Sequence, residues 1–309
     1  MGKIINMYKD NFLLRYDKDG AIPYYSAEDF PGLVCTRGAF QNSANETIHF
    51  FYYNYPDYDQ SKLILFCHGI GPGHTAYLAE IETLCKAGCR VLTYDCSGCG
   101  ESGGERMVSI NSSSRDAIEL LENEAPAEEV IPVGHSLGGY SVTNIARLVP
   151  SVKRAVVISG FLAITDAMMG MVKFRPLANV VQRYEDKFDP RFNGRKNIDH
   201  FKNTTDRFLW IQSTDDQMVS YKYNTGRVIK MNKPNVRVIT VENKKHNPQY
   251  TKEALDQMSQ WMGGYYRLVA EGKLATPEER CGYFDDKPIG MMTAQDPEIY
   301  KEIFAFIAD

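Results

Sequence analysis

The feature that most constrains the fold is a series of short apolar runs separated by helical stretches. From residue 62 onward these runs are continuous, which is typical of strands buried on both faces of a parallel sheet. The predicted strands are 33–40, 47–55, 62–69, 90–97, 129–135, 154–160, 207–213 and 236–242, and helices are predicted near 75–88, 112–125, 137–149, 220–231 and 250–271. Only a turn separates the first two strands, so we expect an antiparallel hairpin at one edge. The alternation predicts a doubly wound α/β fold.

One segment interrupts the alternation. Residues 161–206 form a connection far longer than an ordinary crossover, at the carboxyl end of a predicted strand, where an α/β enzyme carries a lid. An additional pair of surface helices is the alternative. We therefore expect a core of residues 1–160 and 207–271, a lid or cap at 161–206, and a helical extension at 272–309. The extension could cover the mouth of a site or pair two subunits in a homodimer, and the sequence leaves both open.

Composition narrows the function classes. The chain has 309 residues, of which 43% are hydrophobic and 24% are charged, as expected for a globular protein with a large core. Its net charge of −4 argues against nucleic acid as a partner. The first residues lack the apolar segment of a signal peptide, and no run approaches the ~18 residues of a membrane span. The seven cysteines lie mostly in predicted core elements, which indicates reduced thiols and a cytoplasmic location.

The cysteines also raise the question of a metal. Cys96 and Cys99 form a C-x-x-C pattern, with Cys85 and Cys89 nearby. These pairs flank a strand and lack the loop spacing of a zinc site, so we interpret them as small residues in a tight turn and expect no metal.

A serine stands at the point where a predicted strand becomes a helix. Residues 134–138, Gly-His-Ser-Leu-Gly, fit the pattern G-x-S-x-G in its strand–turn–helix context. In that context the turn presents a nucleophile, here Ser136, and the glycines prevent a clash around its strained backbone. A plain glycine turn is the alternative reading.

A serine nucleophile requires a base and a carboxylate. His246 follows the last predicted strand, and Asp215 and Asp216 follow the strand before it. The order serine, aspartate, histidine is the order this kind of fold uses, and parallel sheets place their active sites at these carboxyl ends. For the oxyanion, the amide of Leu137 begins a helix, and a second donor is expected in the glycine-rich loop after the third strand, from Ile70 or, less favourably, Gly69.

These motifs resemble those of the α/β-hydrolase superfamily, in the branch of monoacylglycerol lipases, lysophospholipases, feruloyl-type esterases and serine-aminopeptidase-like (S33-type) hydrolases. The matching residues are His68-Gly69, the stretch Asp95 to Ser102, the serine turn, Asp216-Gln217-Met218-Val219 and His246-Asn247. The resemblance covers about residues 30–265. It implies an eight-stranded α/β-hydrolase fold with a helical lid after strand six and no cofactor, and its D-x-x-V register favours Asp216 over Asp215. Ser97 replaces the family's arginine and Cys99 its histidine, so the loop after strand four should be braced differently.

The predicted function is hydrolysis of a small carboxylic ester of acylglycerol, lysophospholipid or aryl type through an acyl-enzyme. An apolar, adaptable substrate pocket is expected from His68, His135, Phe161, Met168 and Met171. The alternatives are an aminopeptidase or amidase, an acyltransferase, and a non-catalytic binding protein of the same fold. A peptidase that recognises free amino termini would need a carboxylate facing the serine, for which Glu185, Asp186 and Asp189 are available.

Overall fold

Eight strands lie side by side in one sheet. The structure is a computed structural model, which describes residues 2–17, 22 and 24–309. Residues 1, 18–21 and 23 belong to the predicted core of residues 1–160 and lie outside these described residues. The strands are β1 (Val34–Gln41), β2 (Thr47–Asn54), β3 (Lys62–Cys67), β4 (Arg90–Tyr94), β5 (Glu129–His135), β6 (Arg154–Ile158), β7 (Arg207–Ser213) and β8 (Val236–Val241).

The sheet order is β1-β2-β4-β3-β5-β6-β7-β8. β2 runs antiparallel to both β1 and β4, and every other neighbouring pair is parallel. The predicted fold class and its edge hairpin are therefore confirmed. The continuous apolar runs of β3, β5 and β6 are buried on both faces, which is why those strands were readable from sequence.

Helices cover both faces of the sheet. They are α1 (Gly2–Phe12), α2 (Leu78–Lys86), α3 (Asn111–Glu124), α4 (Leu137–Leu148), α5 (Ile164–Val172), α6 (Arg175–Glu185), α7 (Gly194–Asn203), α8 (Thr225–Met231), α9 (Lys252–Ala270), α10 (Pro277–Cys281) and α11 (Pro297–Ala308). α2 and α11 pack on one face, whereas α1, α3, α4 and the helices α5 to α8 pack on the other. None of the helices in the described ranges combines the length and the apolar character that a membrane crossing requires.

α1 is the helix that the sequence prediction missed. Its apolar residues Ile4, Tyr8 and Phe12 are spaced four apart, a short stripe that packs against the core. The chain after α1 is tied to the loop that follows β4, because Tyr16 N–H donates to Gly98 O at 2.9 Å and Gly100 N–H donates to Tyr16 O at 2.9 Å.

The segment between β6 and β7 contains α5, α6 and α7, and α6 also packs against α1. Glu185, the last residue of α6, is fully buried at this contact. Its carboxylate accepts hydrogen bonds from the Tyr8 hydroxyl at 2.8 Å and from the Ser109 hydroxyl. The insertion therefore anchors the N-terminal helix to the body of the protein.

Glu185 should make stability depend on pH. Burial raises the pKa of Glu185 from 4.5 to about 7, so the unfolded chain releases this proton at lower pH than the folded chain does. The stabilising contribution is complete below pH ~4.5 and is lost as pH rises through ~7, on the order of 3 kcal/mol. Urea unfolding at several pH values should show this loss in the wild type and a flatter dependence in Glu185→Gln. Asp10→Asn, which alters an exposed carboxylate of α1, is the control and should follow the wild type. Equal slopes for wild type and Glu185→Gln would contradict the prediction.

Candidate active site

Ser136 occupies a strained turn between β5 and α4. Its backbone has φ 57° and ψ −117°, a conformation that L-residues rarely adopt and that costs on the order of 1–3 kcal/mol. A Cβ on Gly138 would lie 1.8 Å from the Cys67 carbonyl oxygen, and a Cβ on Gly134 would lie 2.4 Å from the Gly138 carbonyl oxygen. Only glycine fits at either position, so the two glycines allow the turn that displays the serine.

The loop after β7 places Asp216 against His246. Asp216 Oδ2 lies 2.9 Å from His246 Nδ1, and the Asp216 side chain is fully buried. Its Oδ1 accepts the backbone N–H groups of Met218 and Val219, both at 2.9 Å, which fixes the carboxylate. Because a carboxylate only accepts, Nδ1 of His246 carries the proton and Nε2 is left to act as a base.

Asp215 points elsewhere. Its Oδ1 accepts hydrogen bonds from the Ser213 hydroxyl and, at 3.2 Å, from the backbone N–H of Lys245. Of the two adjacent aspartates, Asp216, which the D-x-x-V register favoured, is therefore the one in contact with His246.

The backbone positions proposed for the oxyanion lie next to Ser136. Leu137 is the first residue of α4, so its N–H has no acceptor in a preceding helical turn. A Cβ on Gly69 would lie 3.4 Å from Ser136 Cβ, which places the loop after β3 directly beside the serine, and Ile70 lines the same cavity.

His135 supports the loop of residues 242–251, which carries His246 and is called the histidine loop below. His135 Nε2 lies 2.9 Å from the His246 carbonyl oxygen, an acceptor, so Nε2 donates and Nδ1 accepts from the Tyr77 hydroxyl at 3.0 Å. Burial and the neighbouring His246 lower the pKa of His135 to about 3, so this imidazole stays neutral. His135 lines the cavity, as expected, and also orients His246 through its backbone.

A second support comes from α2. The Tyr250 hydroxyl donates to Glu80 Oε1 at 2.6 Å, and Tyr250 lies four residues after His246 and lines the cavity. Glu80 is buried, and burial raises its pKa to about 7. Tyr77 and Glu80, three residues apart, thus hold the histidine loop from two sides.

His68 does not line the cavity. It is fully buried, with Nδ1 2.7 Å from Gly69 O and Nε2 accepting the Cys96 N–H at 3.1 Å. The imidazole therefore joins the loop after β3 to the loop after β4. Its expected place in the substrate pocket is corrected to a bracing position behind the loop.

Ser136 and His246 open into a cavity of about 420 Å³. Of the described residues, the ones that line it include Phe12 at the end of α1, Tyr16 after it, Met218 after β7, Met258 and Met262 of α9, and Met292 of the C-terminal extension. Sequence patterns did not assign these residues to the site. The only signal for two of them was the four-residue spacing of Met258 and Met262 on a predicted helix.

The insertion does not supply the pocket. Phe161, Met168 and Met171 are absent from the described residues that line the cavity. Phe161 stacks on Tyr140 with ring centroids 4.7 Å apart, and Met168 is buried in the core. Phe161 and Met168 thus pack against the body of the protein, and Met171 is exposed to solvent instead of facing the cavity.

The comparisons with known proteins place this architecture in a family. The family model Hydrolase_4, described as serine aminopeptidase, S33, matches residues 58–240, more than half of the chain. The protein belongs to this family. Its fold is the α/β-hydrolase fold, since an esterase of Pyrococcus furiosus (Pf2001) superposes on this S33 family member with a TM-score of 0.57 and 16% identity, over 84% of this chain and 98% of that one.

Curated relatives match over shorter segments. The carbendazim hydrolyzing esterase of Nocardioides sp. (strain SG-4G) is 35% identical over 99 residues, which is 31% of this chain and 40% of that protein. The 2-hydroxy-6-oxononadienedioate/2-hydroxy-6-oxononatrienedioate hydrolase of Cupriavidus pinatubonensis is 32% identical over 106 residues, 32% of this chain and 36% of that protein. The S33 family member thus spans less than half the length of either relative.

The loop after β4 is braced by an arginine from another element. Arg115 of α3 donates to the Ser97 hydroxyl at 2.8 Å, and the Ser97 N–H donates to Asp116 Oδ2 at 2.7 Å. Arg115 therefore places a guanidinium at this loop, although position 97 holds serine instead of the arginine in the family pattern. Cys99 lies with its sulfur 3.4 Å from that of Cys96, and both are buried.

The two adjacent aspartates offer a matched test. Asp216→Asn should slow phosphonylation of Ser136 by a small fluorophosphonate by about 10³–10⁴-fold, because the amide no longer holds His246 in the tautomer that accepts a proton. Asp215→Asn should react at close to the wild-type rate. Stopped-flow measurement of both variants decides the matter, and a large loss in Asp215→Asn with none in Asp216→Asn would reverse the assignment.

Proposed function

We propose that this protein hydrolyses uncharged carboxylic esters through an acyl-enzyme formed on Ser136. The observation that carries the proposal is the hydrogen-bonded pair of Asp216 and His246 at the same cavity as a serine in a strained strand-to-helix turn. This is the combination of nucleophile, base and orienting acid that acyl transfer requires.

The steps follow from the contacts. Ser136 Oγ attacks the ester carbonyl carbon while His246 Nε2 takes its proton, and Asp216 stabilises the imidazolium. The amides of Leu137 and Ile70 receive the negative charge of the tetrahedral intermediate, where the α4 dipole is also favourable. Collapse of this intermediate releases the alcohol, which takes the proton from His246. Water activated by the same imidazole then attacks the acyl-enzyme and releases the acid.

The walls of the cavity favour an ester over a peptide with a free amino terminus. Among the described residues that line it, none is Asp, Glu, Lys or Arg, so no carboxylate is in place to pair with an ammonium group. The acidic residues of the insertion are engaged elsewhere: Glu185 with Tyr8, Asp186 with Gln182 at 2.7 Å, and Asp189 with Arg191 at 2.8 Å. The name of the Nocardioides relative, an esterase, supports the same choice.

Location and assembly complete the proposal. We infer a cytoplasmic protein from the cysteine pattern of the sequence. The homodimer considered for the C-terminal extension stays a prediction, although α11 buries Ile303 and Phe306 against the sheet of its own chain.

Two measurements test the function. Wild type should gain the mass of one phosphonyl group on treatment with a small fluorophosphonate, which loses fluoride, and Ser136→Ala should gain none. Untreated wild type should hydrolyse p-nitrophenyl butyrate and leave alanine p-nitroanilide unchanged. An unlabelled wild type would exclude a serine hydrolase, and turnover of the anilide alone would replace the esterase with an aminopeptidase.

A further inference from the structure

A large part of the wall of the active-site cavity comes from segments outside the family match, which spans residues 58–240. Phe12 and Tyr16 precede the match, and Met258, Met262 and Met292 follow it. The rest of the lining, which includes Ile70, Tyr77 and Met218, lies inside the match.

The N-terminal wall is held firmly in place. Tyr16 exchanges backbone hydrogen bonds with Gly98 and Gly100, both at 2.9 Å, and Met107 N–H donates to Leu14 O at 2.9 Å. Phe12 stacks on the buried Tyr8, with ring centroids 5.6 Å apart. This side of the cavity is therefore a fixed aromatic surface.

The C-terminal wall is built differently. α9 has 19 residues, of which only Ala254, Leu255 and Tyr265 are buried. The first two belong to a small apolar cluster separate from the two main cores, and Met258 packs against that cluster. Met262 lies one turn further along the same face of α9, so the helix presents a methionine pair to the cavity.

The C-terminal extension closes this wall and ties it to the candidate base. Thr251 N–H donates to Ala294 O at 3.0 Å, and Asp296 N–H donates to Gln249 O at 2.7 Å. These bonds place the buried Met292 beside the loop that carries His246.

The chemistry of the walls indicates a substrate class. Four methionines line the cavity, and their unbranched side chains adapt to flexible apolar ligands. With no Asp, Glu, Lys or Arg among the described lining residues, a charged group near the ester would be desolvated without a partner.

We propose that α9, together with Phe12 and Tyr16, forms the acyl-chain site, and that the preferred substrates are uncharged esters with a flexible hydrocarbon acyl chain. The inference rests on the proposed ester hydrolysis and adds that these residues, rather than the insertion after β6, determine substrate length. Met258 and Met262 are its specificity-determining residues.

A matched pair of substitutions tests the proposal. Met262→Trp narrows the cavity, whereas Met171→Trp makes the same change on α5 of the insertion, where Met171 is 44% exposed and outside the cavity lining. With p-nitrophenyl esters from acetate to decanoate, Met262→Trp should lower kcat/KM for decanoate by roughly tenfold or more relative to acetate. Met171→Trp should keep the wild-type chain-length profile. Met258→Ala, which enlarges the cavity, should shift the optimum towards longer acyl chains.

Phosphonylation of Ser136 by the same small fluorophosphonate is measured on every variant. Labelling of the wild type and of Met262→Trp, with unchanged length profiles in both cavity variants, would overturn the acyl-site proposal and leave the ester hydrolase intact. A shifted profile in Met171→Trp alone would return the role to the insertion. Absence of labelling in the wild type would instead refute the proposed function itself.

Discussion

The contact on which the site depends is the approach of the first turn of α4 to the end of β3. At Gly138 the two backbones are so close that no side chain fits between them, and this proximity makes the positive φ of Ser136 tenable. It also brings Gly69 and Ile70 beside the serine, because they follow β3 directly. One close backbone contact therefore sets both the position of Ser136 and the position of the proposed oxyanion donors.

The candidate base is positioned by a different part of the chain. A short segment beginning in the 3-10 turn 74–77 and continuing into α2 supplies both Tyr77 and Glu80. Tyr77 acts through the neutral His135 on the His246 carbonyl, and Glu80 acts on the Tyr250 hydroxyl. The same segment is tied through His74 to Asp95 at 2.8 Å, in the loop after β4. Loops that are distant in sequence are thus fastened to one another behind the reacting groups, which limits their reorganisation during catalysis.

Sequence patterns predicted the centre of the sheet well because a strand buried on both faces, such as β3, β5 or β6, is apolar at consecutive positions. The serine turn was also predictable from sequence, because the backbone around it leaves no room for a Cβ at Gly134 or Gly138. The choice between Asp215 and Asp216 depended on which carboxylate the turn directs at His246, and residue type alone does not encode that direction. The pocket was misplaced for a related reason. An apolar stripe shows that a helix face is covered but not what covers it: Met168 faces the core, whereas Met258 and Met262 face a cavity.

The origin of the cavity walls has a consequence for how such a protein can change over evolutionary time. Crossover helices of an α/β sheet are fixed at both ends by strands, so altering them risks strand register. Phe12, Tyr16, Met258 and Met262 lie on no crossover between two strands of the described sheet. Substitutions at these positions can therefore reshape the wall while the sheet and the serine turn keep their geometry. Proteins with nearly the same catalytic core could in this way diverge in what they accept, and the divergence would be invisible to any comparison confined to that core.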